Sequence, residues 1–367
     1  MSAKKLDYHK LVNYDIADPA KILAQKEGFA TASNMPFGFS ELEGTRGESA
    51  YVFDMGDLYG AFVQEGLGTK SLITQKVYEE TGKSYFANTA QDTVGTIIND
   101  LISVGAKPIV MNAYWSASSF DWLADKKLTT DFIKGWRNAC DEAGVVWGGG
   151  ETQSLPGVVE KGALEFAGCG FGVIKPKDNL VNEKKLQTGD KILLLGSNGV
   201  HANGISLTRK IADKLKDGYQ TKLDNGEIYG EALLSPSILY AKVLEEFRKA
   251  EIDIHYIANI TGHGWRKLMR ASREFTYVIE TIPEPHEVFS FIQKHSNNTL
   301  EDMYANYNMG AGYAVYLSDS DGRKAIEVAK KLGINGLIAG SVEKGPRQVK
   351  IKPLGISYAG ETLEVKV

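Results

Sequence analysis

Four times along the chain, an apolar run of the kind that forms a buried strand ends in a glycine-rich turn. The runs are Leu58 to Val63, Val145 to Trp147, Lys191 to Leu195 and Ile254 to Ile260. The turns are Gln64-Glu-Gly-Leu-Gly-Thr-Lys70, Gly148-Gly-Gly-Glu-Thr152, Gly196-Ser-Asn-Gly-Val-His-Ala-Asn-Gly204 and Thr261-Gly-His-Gly264. Strand signals alternating with helical ones predict an α/β fold in both halves. Glycine lets a backbone turn sharply and approach a ligand, and successive N–H groups in such a turn make an anion-binding concavity. In the first turn a carboxylate, two glycines, a hydroxyl and a lysine arrive together, which suggests a phosphate and metal subsite. Its spacing is neither that of a Walker A loop nor that of a Rossmann fingerprint.

Between the first two turns, Val94, Ile97, Ile98, Leu101 and Val104 form the apolar stripe of a helix. Asp92, Thr96, Asn99 and Ser103 form a separate polar stripe with no lysine, arginine or glutamate, and Asp100 lies to one side of it. Such a stripe suits a cleft facing a ligand or metal as well as it suits a solvated face. A strand is expected over Pro108 to Ala113, and a helix over Thr130 to Ala143 capped by Gly144. The third glycine of Gly148–Gly150 exceeds what a turn needs, so close approach of another group to that backbone is expected. An alternating strand from Leu164 to Ile174 closes this half. Ser235 and Pro236 read as the N-cap and first residue of a helix through Phe247. Strand and helix signals alternate to the end.

A chain of 367 residues suits two domains. We expect an N-terminal arm over 1–50, a domain over 51–175 and a second over 176–367, the boundary falling in the charged stretch 176–189. A formal net charge of -4 argues against a nucleic-acid-binding surface. No apolar run is long enough to span a membrane, and the N-terminus lacks a signal-peptide core, so a soluble cytoplasmic protein is expected. Two cysteines, Cys140 on a predicted helix and Cys169 in a predicted strand, exclude a cysteine-based zinc site and read as buried thiols.

Glu65, Asp92, Asp100 and Glu151 are the acidic candidates. Hard oxygen ligands of this kind suit Mg²⁺ bridging nucleotide phosphates. His201 and His263 lie in glycine turns of the second half. Each reads either as a general acid or base, or as a hydrogen-bonded structural residue. No nucleophile elbow is present.

The segments Glu65–Lys70, Ala90–Val94 with Ile98–Leu101, Gly148–Thr152, Gly196–Gly204 with Ser206-Leu207 and Arg209-Lys210, Thr261–Gly264 and Asn308–Gly312 occur in one order. In that order and spacing the chain resembles the aminoimidazole ribonucleotide synthetases (phosphoribosylformylglycinamidine cyclo-ligases) of the PurM-like ATP-binding superfamily. Asp7-Tyr8 through Tyr14-Asp15-Ile16 looks like that family's start. The resemblance implies a homodimer of two α/β domains, with N-terminal strands closing a barrel across the dimer. It implies ATP and Mg²⁺ in the first-half cleft and a phosphoribosyl substrate. Glu65, Asp92, Asp100 and Glu151 would hold the metal or its waters. Glu65, Gly66, Gly68, Thr69, Lys70, Asp92, Asn99, Gly148, Gly149, Gly150, Thr261 and Gly262 would form the nucleotide site, with Lys70 and Asn99 meeting phosphate. His201, Asn203 and Lys70 would serve catalysis. The implied reaction is ATP-dependent closure of formylglycinamidine ribonucleotide to aminoimidazole ribonucleotide. The alternatives are a kinase or dehydratase of the same superfamily, or a nucleotide-binding homologue without turnover.

Three positions depart from the family pattern: Glu65 stands where aspartate is usual, Asn34–Ser40 matches the glycine-rich arm poorly, and His263 stands where glycine is usual. They bear on substrate identity more than on fold.

Overall fold

Period-two burial along strands and a helix buried on nearly every side build the first half. The computed structural model of the chain describes Leu6 and residues 14–363, and the Asp7-Tyr8 part of the resemblance lies outside them. Five strands belong to the first half after a short β1 (Ser40–Glu41): β2 (Tyr51–Asp54), β3 (Tyr59–Gly66), β4 (Lys107–Ala117), β5 (Val146–Ser154) and β6 (Leu164–Ile174). Its helices are α1 (Tyr14–Phe29), α2 (Lys70–Thr81), α3 (Phe86–Ser103), α4 (Asp121–Ala124) and α5 (Lys126–Ala143). The second half holds β7 (Lys191–Gly196), β8 (Ile254–Asn259), β9 (Phe275–Ile279), β10 (Ala311–Leu317), β11 (Gly336–Lys344), β12 (Gln348–Ile351) and β13 (Ile356–Ala359). Its helices are α6 (Ile205–Ala212), α7 (Tyr229–Leu233), α8 (Ala241–Lys249), α9 (Glu287–Ser296), α10 (Leu300–Asn306) and α11 (Asp319–Lys331).

The first sheet runs β1-β2-β3-β6-β4-β5 and the second β13-β12-β9-β11-β7-β10-β8. The fold is thus mixed α/β with two mixed sheets, as expected. The first sheet is open, with β1 and β5 at its edges, and forms no closed barrel among the described residues. Alternation along β6 puts Phe166, Gly168 and Gly170 on the buried side. A Cβ on Gly170 would stand 2.9 Å from the Ile97 side chain, so glycine there lets α3 lie close on the sheet. Trp115, Phe132, Trp136 and Phe166 pack under α5, with Phe132 and Phe166 stacked at 4.2 Å. The opposite face leaves Phe62, Ile109 and Tyr114 exposed, and Val146 is 64% exposed on the β5 edge.

Several local expectations change. The strand read as ending at Val63 continues to Gly66, so Glu65 and Gly66 lie on β3, not in a turn. Gly148–Gly150 lie inside β5. What approaches their backbone is the neighbouring strand: a Cβ on Gly150 would sit 2.0 Å from the Ala113 carbonyl oxygen of β4. The helix read from Ser235 starts only at Ala241, because side chains of α3 take up the backbone groups of 234–240 in its place. The helix read from Thr130 starts at Lys126, where the Asp125 carboxylate accepts the N–H groups of Lys127 and Leu128. The arm carries a helix, α1, in addition to the loops expected there. No helix among the described residues is long and apolar enough to cross a membrane.

The tight β4–β5 contact yields a test: Gly150→Ala should destabilise the chain by about 1–3 kcal/mol, read by urea unfolding, because the added methyl overpacks against backbone that cannot move aside.

Candidate functional site

Helix α3 is the joint of the molecule. Asn88 Nδ2 donates to the Leu234 carbonyl at 2.9 Å, Gln91 Nε2 to the Ser237 carbonyl at 2.9 Å and Asn99 Nδ2 to the Ile238 carbonyl at 2.8 Å. Asn99 Oδ1 accepts from the Tyr240 N–H at 3.1 Å, and Ser103 Oγ lies 2.7 Å from the Tyr313 hydroxyl. Asp92 Oδ1 accepts from both the N–H and the hydroxyl of Ser237, while its Oδ2 lies 2.6 Å from Lys70 Nζ. The Lys70 ammonium also donates to the His201 carbonyl at 2.8 Å and the Ser235 carbonyl at 3.3 Å. Both charged groups are fully buried. Burial pulls the lysine pKa down and pushes the carboxyl up, and each partner opposes the other's shift. The polar stripe, which suited a ligand cleft or a solvated face equally from sequence, turns Asp92, Asn99 and Ser103 to the second half of the chain and leaves Thr96 to line a cleft: Asp92 and Asn99 brace the second half, and Lys70 grips it.

Beside this brace lies a cleft of about 410 Å³. Period two along β3 turns Glu65 to the helix side, toward Thr96 and Asp100, which stand one turn apart on α3. Asn203 and Thr261-Gly262-His263 line the cleft from the second half. Lys267 and Arg270 come from the 3-10 helix Gly264–Met269 and its cap, where residues three apart share a face. Glu48 enters from the segment before β2, held by the Tyr256 hydroxyl at 3.2 Å and by Arg270 at 3.5 Å. Lys21 and Gln25 of α1 reach the rim.

The electrostatics are those of crowded, half-dry charges. Burial, then the charge of Asp100, holds the Glu65 carboxyl well above the usual carboxylate range, and Lys267 and Arg270 oppose this. Burial, then Arg270, brings the Lys267 ammonium down to about 7 against the pull of Asp100, Glu65 and Glu48. Burial and neighbouring cations bring His263 down to about 3, so it is a neutral imidazole. His201 is also brought down to about 3 by burial, Lys70 and His286. Its ring is not part of the cleft lining, and among the described residues its Nε2 has no hydrogen-bond partner.

Of the residues singled out from sequence, Glu65, Gly66, Thr96, Asp100, Asn203, Thr261, Gly262 and His263 line this one cleft. Lys70, Asp92, Asn99 and His201 lie in the brace beneath it. Gly68 and Thr69 form the turn into α2. Gly148, Gly149, Gly150 and Glu151 are on β5. Glu65 pairs with Gly168, Gly168 with Ala113 and Ala113 with Gly150, so Glu151 stands three strands away, about 14 Å at ordinary strand spacing. No group of three or more His, Cys, Asp or Glu side chains among the described residues is arranged to hold a metal ion. The carboxylates that do meet are Glu65 and Asp100. Sequence reasoning missed Glu48, Lys267 and Arg270. The signal for the last two was their spacing of three directly after Thr261–Gly264, in a helical turn whose inward face is the cleft.

Two α/β halves joined by a buried helix, with a charged cleft at the joint, define a bipartite α/β protein. Residues 47–174 match the family described as AIR synthase related protein, N-terminal domain, and residues 187–352 match its C-terminal domain. The chain belongs to this family. It is 32% identical over 295 residues to a phosphoribosylformylglycinamidine cyclo-ligase of Methanocaldococcus jannaschii, covering 80% of this chain and 81% of that one. In fold it is similar to the hydrogenase maturation protein HypE, solved in complex with ATP (TM-score 0.60, 17% identity, 83% of this chain and 85% of that one). It is also similar to T. maritima PurL complexed with FGAR (TM-score 0.57, 18% identity, 88% of this chain and 48% of that one).

The buried brace can be tested directly. Asp92→Asn leaves Lys70 charged and unpaired and should cost about 3–5 kcal/mol in urea unfolding. Adding Lys70→Met should recover part of that loss, because the stranded charge is then gone.

Proposed function

We propose that this chain is an ATP-dependent cyclo-ligase that closes formylglycinamidine ribonucleotide to aminoimidazole ribonucleotide, releasing ADP and phosphate. The observation that carries the reading is the cleft, where two carboxylates on one wall face two cations on the other. Relatives named for this activity, and fold neighbours solved with ATP and with FGAR, support it.

Two crowded carboxylates, one of them with a raised pKa, form a donor set that a hard divalent cation would relieve. Mg²⁺ typically binds through one or two carboxylates and completes its shell with water and phosphate oxygens. Glu65 and Asp100 would hold it, which narrows the four-residue set read from sequence. Bound there, Mg²⁺ would neutralise phosphate charge. The neutral donors Asn203 and Thr261 and the backbone at Gly262 would orient the amide to be activated. Phosphorylation of the amide oxygen makes it a leaving group. The amidine nitrogen then attacks the same carbon, forming the ring C–N bond as the C–O bond breaks and phosphate departs. Positioning suffices for this closure, because both reacting groups belong to one molecule. The brace under the cleft fixes the two walls against each other, and Lys70 acts in it by holding the His201 and Ser235 carbonyls.

A second copy of the chain is proposed as the partner. The outer face of the first sheet exposes Phe62, Ile109 and Tyr114, and β5 leaves an edge open to pairing.

Purified protein should release ADP with formylglycinamidine ribonucleotide and Mg-ATP in a coupled assay. Asp100→Asn should lower kcat by on the order of a hundredfold while leaving the melting temperature near that of the parent. Absence of ADP release under conditions that support a control cyclo-ligase refutes the reading. Phe62→Glu should convert the proposed dimer to monomer in light scattering after size exclusion. A parent that is already monomeric removes the dimer from the proposal.

A further inference from the structure

Lysine in the motif Gly-Leu-Gly-Thr-Lys was the residue expected to meet phosphate, but Lys70 is consumed. It is fully buried and bound to Asp92 and two carbonyls. The cation left over is Lys267. It is only 9% exposed and lines the cleft, yet among the described residues its ammonium makes no hydrogen bond and has no ion-pair partner within 4.0 Å. Its neighbour Arg270 is committed: Nε lies 3.5 Å from the Glu48 carboxylate, and the guanidinium donates to the Gly47 carbonyl at 2.6 Å. Arg266, one residue before Lys267, turns away to the carbonyls of Ala305 and Thr362. A buried charge without a partner is costly, so a lysine held in this state marks a place where a ligand completes the pairing.

We infer that Lys267 is the centre of an anion subsite that takes a phosphoryl group. The subsite lies on the second-half wall, across the cleft from Glu65 and Asp100. The group it takes is either the terminal phosphate of a nucleotide or the phosphate ester of the second substrate. Both present the same tetrahedral oxyanion, to which a lysine offers charge and up to three donors. The inference rests on the reading of the cleft as a site of phosphoryl chemistry, but not on which amide is cyclised.

The test uses the full chain with Lys267→Met and Lys267→Arg, and inorganic phosphate alone as the first probe, by titration calorimetry. Lys267→Met should weaken phosphate by roughly tenfold or more, and Lys267→Arg should restore most of the affinity. The methionine variant should melt at or above the parent temperature, because it removes an unpaired buried charge. A lysine with a merely structural role would melt lower on substitution. The source is then read with three further ligands. Loss of AMPPNP affinity relative to ADP assigns the terminal phosphate of the nucleotide, and loss of ribose 5-phosphate affinity assigns the ester. Parent protein that binds no phosphate, or a methionine variant that binds it as tightly as the parent, overturns the subsite. Failure of the cyclo-ligase reading would show differently, as missing ADP release with phosphate binding intact and still dependent on Lys267.

Discussion

The ion pair between Lys70 and Asp92 is the interaction on which the rest of the structure depends. Neither group touches water, so each exists in charged form only because the other does. Lys70 opens α2, Asp92 lies in the middle of α3, and the carbonyls that complete the lysine's shell belong to the second half of the chain. One contact thus ties two helices of the first half to two loops of the second. The side-chain amides of Asn88, Gln91 and Asn99 repeat the same logic without charge.

This brace explains why a cleft with crowded charges can persist. Glu65 and Asp100 are brought together by a strand and a helix packed through Val63, Ile97 and Leu101. Lys267 and Arg270 are brought together by a tight helical turn anchored by Trp265, whose indole donates to the Asn308 carbonyl at 2.8 Å. The hydrogen bonds of α3 to the second half fix the two walls relative to each other. The energy that keeps them there comes from apolar burial and the satisfied backbone around them.

Much of this was legible in the sequence, and the failures share one cause. Alternation in Leu164–Ile174 and the stripe from Val94 to Val104 gave elements that the structure contains, because both report burial by a simple period. Glu65, Asn203 and Thr261 drew notice as polar residues in glycine-rich turns, and Asp100 as a carboxylate beside the polar stripe. What could not be read was the partner of each polar group. The Asp92–Asn99 stripe and Gly148–Gly150 look alike whether a ligand or the chain itself fills the space. In this protein the chain fills it: residues 234–240 lie against the stripe, and β4 lies against the glycines. Lys267 was missed for the converse reason, since a lysine in a basic run normally reads as solvated surface.

The grip of α3 and Lys70 on residues 234–240 is made largely through main-chain atoms: the carbonyls of Leu234, Ser235, Ser237 and Ile238 and the N–H groups of Ser237 and Tyr240. Main-chain atoms are common to every amino acid. Ser237, whose hydroxyl also meets Asp92, and the buried Leu234, Leu239 and Tyr240 are constrained in identity, and the segment as a whole is constrained in length. Substitution at its other positions leaves the hydrogen bonds in register, while insertion or deletion of a single residue shifts every carbonyl past its donor.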